Sequence, residues 1–134
     1  MVAKRDKFTL HRYFIWANRM REHLDEILKT KAISPNPAEN IEVNLYMSLW
    51  YSQLYAVIEG WKELKCSDST IDQLLKSPNT DLLRRYRNGV CHFQKEYFDA
   101  RFIEFMTEGQ NSAAWIRTLN QEFGKWFLEK GNAT

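Results

Sequence analysis

Apolar residues recur along this chain at three- and four-residue intervals, the spacing of one face of a helix. From Phe8 to about Lys29 they fall at Tyr13, Trp16/Ala17, Met20, Leu24 and Ile27/Leu28. The next segment, TKAISPNPAENIE, holds two prolines and breaks the pattern, which predicts a connector. A second helix is predicted from about Ile41 to Leu64, with Val43, Tyr46/Met47, Trp50, Leu54, Val57/Ile58, Trp61 and Leu64 on its stripe. Leu45, Leu49 and Tyr51 widen that stripe, so this helix is expected to be the most buried.

Between Cys66 and Asp81 a short amphipathic turn is predicted around Ile71, Leu74 and Leu75, ended by Ser77-Pro78-Asn79. Asn79 or Thr80 is placed to cap a third helix that opens with Asp81. Leu82, Leu83, Tyr86, Val90 and Phe93 give that helix its core side, and the aromatic segment YFDARFIEFM either continues it or forms a turn of its own. TEGQNS reads as a loop, and residues 112 to 129 as a last helix with Trp115/Ile116, Leu119, Phe123 and Trp126/Phe127 facing in. Neither an internal repeat nor a hairpin with alternating flanks interrupts this order. The expected architecture is all-α: a bundle of four main helices plus a short helical turn, spanning residues 1–134 as a single domain.

Composition sharpens the core. Five Trp, six Tyr and eight Phe in 134 residues must mostly be inside, because each covers a large area. Trp16, Trp50, Trp61, Trp115 and Trp126 all lie on apolar stripes and are expected as core rather than as stacking platforms. A net charge of +2 argues against coating nucleic acid through bulk charge, which needs many phosphate contacts. The charge is unevenly spread, however. Residues 1 to 31 carry eight Lys/Arg against four acids, and residues 84 to 101 carry five against two, so an anion would be met locally.

Cys66 and Cys91 are too few for a disulfide framework or a cysteine-ligated zinc site. His11 and His23 lie twelve apart in the first helix without a Glu-x-x-His partner, so they are expected as ordinary rim histidines and no metal or other cofactor is expected. His11 and Arg12 break the apolar run of the basic start, which spoils a signal-peptide core, and no stretch approaches a membrane span. A cytoplasmic protein without a membrane partner is expected.

The candidate chemistry sits in RRYRNGVCHFQKEYF, residues 84 to 98. At about 100° per residue, Asn88 and His92 share the side away from the core. Arg84, Arg87 and Cys91 lie on one flank, and Arg85 joins His92 on the other. Arg87 and His92 are five positions apart and do not meet on a straight helix, so a break near Gly89, or a second copy of the chain, is needed to bring both to one phosphate. Residue types alone also fit the wet face of an amphipathic helix. Glu59, beside the small Gly60 in the second helix, is a candidate partner for one of these arginines.

Arg87-Asn88-Gly89-Val90-Cys91-His92 resembles the R-N-x-x-x-H signature of the HEPN superfamily. Arg5 and His11 match only a looser spacing and lack the asparagine. The family comprises small helical bundles, many of them metal-independent RNases, often toxins or abortive-infection effectors, with the signature in the third long helix. The resemblance implies a homodimer formed through that helix and an RNA substrate. It also implies His92 as acid/base, Arg87 as phosphate clamp and Asn88 as the orienting residue, with Arg84 and Arg85 binding and steering RNA. A toxin of this kind is expected to have a separately encoded antitoxin.

Such cleavage needs a base for the 2′-hydroxyl, an acid for the leaving 5′-oxygen and a cation at phosphorus. Histidine and arginine supply these, and two protomers supply two histidines. Where many active relatives carry an aromatic residue two positions after the histidine, this chain has Gln94, with Phe93 before it and Tyr97 after. The alternative function is a non-catalytic module that dimerises or binds a nucleotide or partner through the same face.

Overall fold

Each apolar stripe becomes a helix where its neighbours let the backbone continue, and stops where they do not. The structure, a computed structural model, describes residues 2–96 and 99–131, and among these it is entirely helical apart from its connectors. The order is α1 (Lys4–Thr30), a 3-10 turn (Pro37–Glu39), α2 (Ile41–Glu63), α3 (Ser69–Leu75), α4 (Asn79–Cys91), α5 (Ala100–Thr107) and α6 (Ser112–Gly131). The aromatic segment after α4 is thus partly a helix of its own, α5. No helix among the described residues is long and apolar enough to cross a membrane.

α1 ends at Thr30, where Lys31 turns to extended backbone (φ −122°, ψ 142°), and it does not resume across the next four residues because Ser34, before Pro35, is itself kept out of the helical region. The connector is then closed locally: Asn40 Oδ1 accepts from the Ser34 N–H at 2.9 Å and Asn40 Nδ2 donates back to the Ser34 carbonyl at 3.0 Å. This returns α2 antiparallel to α1, with His23 stacked on Tyr46 at one end and Leu10 against Gly60 at the other. A β-carbon on Gly60 would lie 2.5 Å from Leu10 Cδ1, so glycine permits that close crossing.

α2 supplies the centre of the core. Trp50, Leu54, Val57, Ile58 and Trp61 are all at most 1 % exposed. Rings interlock around them: Tyr51 meets Trp50, Tyr86 and Phe105, and Trp61 meets Phe123 and Trp126 edge-on. The buried indoles need acceptors. Trp50 donates to Asn120 of α6 at 3.0 Å, Trp61 to Asp72 of α3 at 2.9 Å, and Trp115 to the Leu74 carbonyl at 3.0 Å.

Four sequence expectations are corrected. Trp16 is 47 % exposed, its ring lying beside Tyr13 under the Arg12 guanidinium rather than in the core. Leu45 and Leu49 are exposed at the outer margin of α2, so its buried arc is narrower than composition suggests. Phe93 is 93 % exposed, because α4 stops at Cys91 and the helical rotation that would turn Phe93 inward no longer applies. Neither Asn79 nor Thr80 caps α4. Asn79 is its first residue, fully buried, and its amide accepts from the Gln110 N–H at 2.8 Å and donates to the Gln110 carbonyl at 2.9 Å.

Asn79 thereby ties the start of α4 to the turn between α5 and α6. Gly109 sits against it, where a β-carbon would approach the Phe105 carbonyl at 2.5 Å and Asn79 Oδ1 at 2.8 Å. Asn79→Ala leaves both backbone groups of Gln110 without these partners and is expected to cost about 1–3 kcal/mol. Trp61→Ala removes a central ring and is expected to cost about 3–5 kcal/mol. Urea unfolding of the two variants, followed by far-ultraviolet circular dichroism, checks both the order and the sizes.

Candidate functional site at the end of the fourth helix

α4 carries the hexapeptide Arg87 to His92, and its two flanks face different neighbours. Tyr86 points inward, 3 % exposed, with its hydroxyl 3.2 Å from Ser48 Oγ. Burial holds its phenol above the ordinary tyrosine range, so it stays neutral. One residue on, Arg87 reaches α2. Its Nη1 donates to Glu59 Oε1 at 2.9 Å, and its guanidinium carbon stands 5.0 Å from the centre of the Tyr55 ring. The expected pairing of Glu59 with a third-helix arginine is therefore present.

Arg87 Nε donates to Asn88 Oδ1 at 3.0 Å. Asn88 thus braces the guanidinium rather than the imidazole. Its contact with His92 is through the backbone, where the His92 N–H donates to the Asn88 carbonyl at 3.1 Å. No hydrogen bond or ring contact joins the Arg87 and His92 side chains among the described residues.

Arg84 and Arg85 diverge. Arg84 pairs with Asp81 one turn back on the same helix at 2.9 Å. Arg85 forms a two-pronged pair with Glu104 of α5, Nε to Oε2 at 2.7 Å and Nη2 to Oε1 at 3.0 Å, and this holds the Glu104 carboxyl below its ordinary range. All three arginines therefore meet a carboxylate. Their side chains keep 44 %, 42 % and 26 % exposure for Arg84, Arg85 and Arg87. Ion pairs this open contribute about 0–1 kcal/mol, small enough for a phosphate to displace a carboxylate.

Of the two routes that would bring Arg87 and His92 together, a break near Gly89 is not taken: the helix ends two residues later. Helical backbone runs through Gly89 to Cys91, and His92 leaves it in extended conformation, φ −115° and ψ 133°. Gly89 serves packing instead. It is buried, and a β-carbon there would lie 2.9 Å from Phe102 Cε1 of α5. Tyr86 meets the same Phe102 ring at 5.4 Å.

His92 is exposed, and its imidazole has no hydrogen-bond partner among the described residues. Its backbone is braced. Gln94 Nε2 donates to the His92 carbonyl at 2.9 Å, Arg101 Nη2 donates to Gln94 Oε1 at 2.9 Å, and Asp99 Oδ1 accepts from the Arg101 N–H and Nε, each at 3.0 Å. Backbone and side-chain bonds from Arg101 overcome partial desolvation and hold the Asp99 carboxyl below its ordinary range. Tyr97 lies outside the described residues.

Four residues were missed by sequence reasoning alone: Tyr55, Glu104, Asp99 and Arg101. Tyr55 was readable, since it precedes Glu59 by one helical turn and so shares its face. Arg101 and Asp99 were not, because the chain between His92 and α5 has no periodicity to place them. Among the described residues no three His, Cys, Asp or Glu side chains gather closely enough to hold a metal ion. No family model matches the chain, and no curated protein or solved structure matches it significantly.

The pairing of Arg87 sets a direct test. Glu59→Gln removes the competing charge and keeps the size of the side chain. With a single-stranded oligoribonucleotide used as a polyanion probe, affinity is expected to rise and the salt slope to steepen by up to about 0.7, the value of one added phosphate contact. Fluorescence anisotropy across a salt series measures both.

Proposed function

We propose that the chain is a homodimeric, metal-independent endoribonuclease of HEPN-like architecture, with α1, α2, α4 and α6 as its main helices and the end of α4 as its active surface. The observation that carries this reading is the Arg87–His92 hexapeptide at an exposed helix end, with an imidazole that has no hydrogen-bond partner among the described residues and a guanidinium already oriented by Glu59, Asn88 and Tyr55. Phe93 projects beside His92 almost fully exposed, a fitting apolar anchor for a second copy. A twofold axis at this face repeats both groups across one groove.

In that groove His92 of one protomer takes the 2′-hydroxyl proton as the oxygen attacks phosphorus. His92 of the other protomer gives a proton to the departing 5′-oxygen. The products are a 2′,3′-cyclic phosphate and a 5′-hydroxyl end. Arg87 balances the charge accumulating on the non-bridging oxygens, while Arg84 and Arg85 exchange their carboxylates for flanking phosphates. Asn88 acts by aiming Arg87. A toxin or phage-defence role with a separately encoded antitoxin, and a cytoplasmic setting, belong to the same proposal.

A second reading is favoured by Gln94. Its amide is used at both ends, on the His92 carbonyl and on Arg101, where the family commonly has an aromatic residue. On that reading the same face dimerises or binds a nucleotide or partner without cleaving it.

One digestion separates the two. Structured RNA incubated with the protein in EDTA is expected to yield cyclic-phosphate ends. His92→Ala is expected to lower the rate roughly 10²–10⁴-fold, the usual contribution of a positioned proton-transfer group. Unchanged cleavage by His92→Ala rules out the nuclease. RNA binding without cleavage by the wild-type protein selects the second reading.

A further inference from the structure

Away from α4, the seam between α1 and α6 opens into a trough of about 930 Å³. It shares no residue with the face described above. The two helices run antiparallel and are tied at intervals: Lys7 Nζ to the Lys130 carbonyl at 3.4 Å, Asn120 to Asn18 at 3.0 Å, and Arg117 to Asp25 at 2.8 Å. Between these ties the floor is aromatic. His11 and Phe14 stack on Phe127 at 4.8 and 5.3 Å, and Trp126 meets Phe127 edge-on. Gly124 thins the α6 wall at this level, since a β-carbon there would contact Phe14 Cζ at 3.4 Å.

We propose that this trough docks an acidic amphipathic helix of a partner protein. Shape is the first reason. The α1 wall runs from Lys4 to Glu22, about 27 Å at 1.5 Å per residue. A furrow that long and open on one side suits a rod of about five helical turns better than a compact ligand. Phe8 and Ile15 stand on its rim two turns apart, 66 % and 48 % exposed, and Leu128 faces them from α6 at 72 %. These are contacts for a helix presenting apolar residues at i, i+3/i+4 and i+7.

Charge is the second reason. Six cations line the trough, Lys4, Lys7, Arg19, Arg21, Arg117 and Lys125, against one carboxylate, Glu22. Arg21 and Arg117 share Asp25, Arg19 pairs with Glu22, and Lys125 with Glu122. Lys4 has no carboxylate partner among the described residues, and Lys7 has only a carbonyl. The Phe8 end is therefore positive, which calls for acidic residues on the occupant. A twofold pairing of two such troughs would oppose like charges. Single-stranded RNA would need open ring faces to stack on, whereas the floor rings Phe14, Trp126 and Phe127 are at least 92 % buried.

The full chain is titrated against two labelled synthetic helical peptides of roughly 18 residues, the length of the trough. Both carry leucines on one face; one has glutamates opposite, its twin lysines. The acidic peptide is expected to bind roughly tenfold or more tightly than its twin, and the double change Lys7→Glu, Lys125→Glu to erase that preference. Phe8→Ser with Ile15→Ser is expected to weaken binding by a similar factor, with an unchanged circular dichroism spectrum because Phe8 is about two-thirds and Ile15 about half exposed, so neither belongs to the buried core. Equal affinity for the twins, insensitivity to either double change, or no binding at about 1 mM peptide overturns the proposal. So does displacement of the peptide by an oligoribonucleotide, or self-association of the chain abolished by the Phe8/Ile15 change.

Discussion

A buried indole must satisfy its N–H, and in this fold that requirement joins the helices. Trp50, Trp61 and Trp115 are each more than nine-tenths buried and each donates to a different acceptor. The first bond links α2 to α6, the second α2 to α3, and the third α6 to the end of α3. Apolar rings could slide over one another at modest cost. A ring whose polar edge meets one acceptor is confined to one register, because a lost bond leaves both groups desolvated and unpaired. The position of α4, and hence of its last turn, follows from that register through the Tyr51–Tyr86 contact and the bond between Ser48 and Tyr86.

Much of this was legible in the chain. The stripes of α1, α2 and α6 predicted long helices, and Ile71 with its neighbours predicted α3, because in each case burial follows a 3.6-residue period. Two of the errors share a cause. Trp16 and Phe93 are large apolar residues that the period places on a buried arc. Burial needs a facing element as well, and periodicity says nothing about what faces it. Arg12 covers Trp16 instead, and at Phe93 the helix has already ended. Asn79 failed in the opposite sense. A polar residue before a helix reads as a cap, and only the folded chain brings Gln110 within reach of it.

The candidate site was half legible. Six residues in a row named the guanidinium and the imidazole, and helical rotation correctly separated Arg87 from Arg85. Rotation also left Arg87 and His92 apart, and no bond joins their side chains among the described residues. Of the carboxylates, Glu59 was legible in the chain as a partner and Glu104 was not. Glu59 and Glu104 come from other helices, 28 and 19 residues away, and their effect is large for a face whose proposed work is holding phosphate. Three arginines in four positions look like a concentrated positive charge on paper. Folded, each meets an acid, and the face attracts an anion only as far as it can offer a better bond than the carboxylate already there.

Gly89 stands inside the hexapeptide between the residues assigned chemistry, and Phe102 occupies the space its side chain would take. A survey of every substitution across residues 87 to 92 would therefore mark position 89 as intolerant for reasons of volume alone. Its sensitivity would rise with the bulk of the replacement and be relieved by trimming Phe102. Positions that act through protons or charge would follow neither rule.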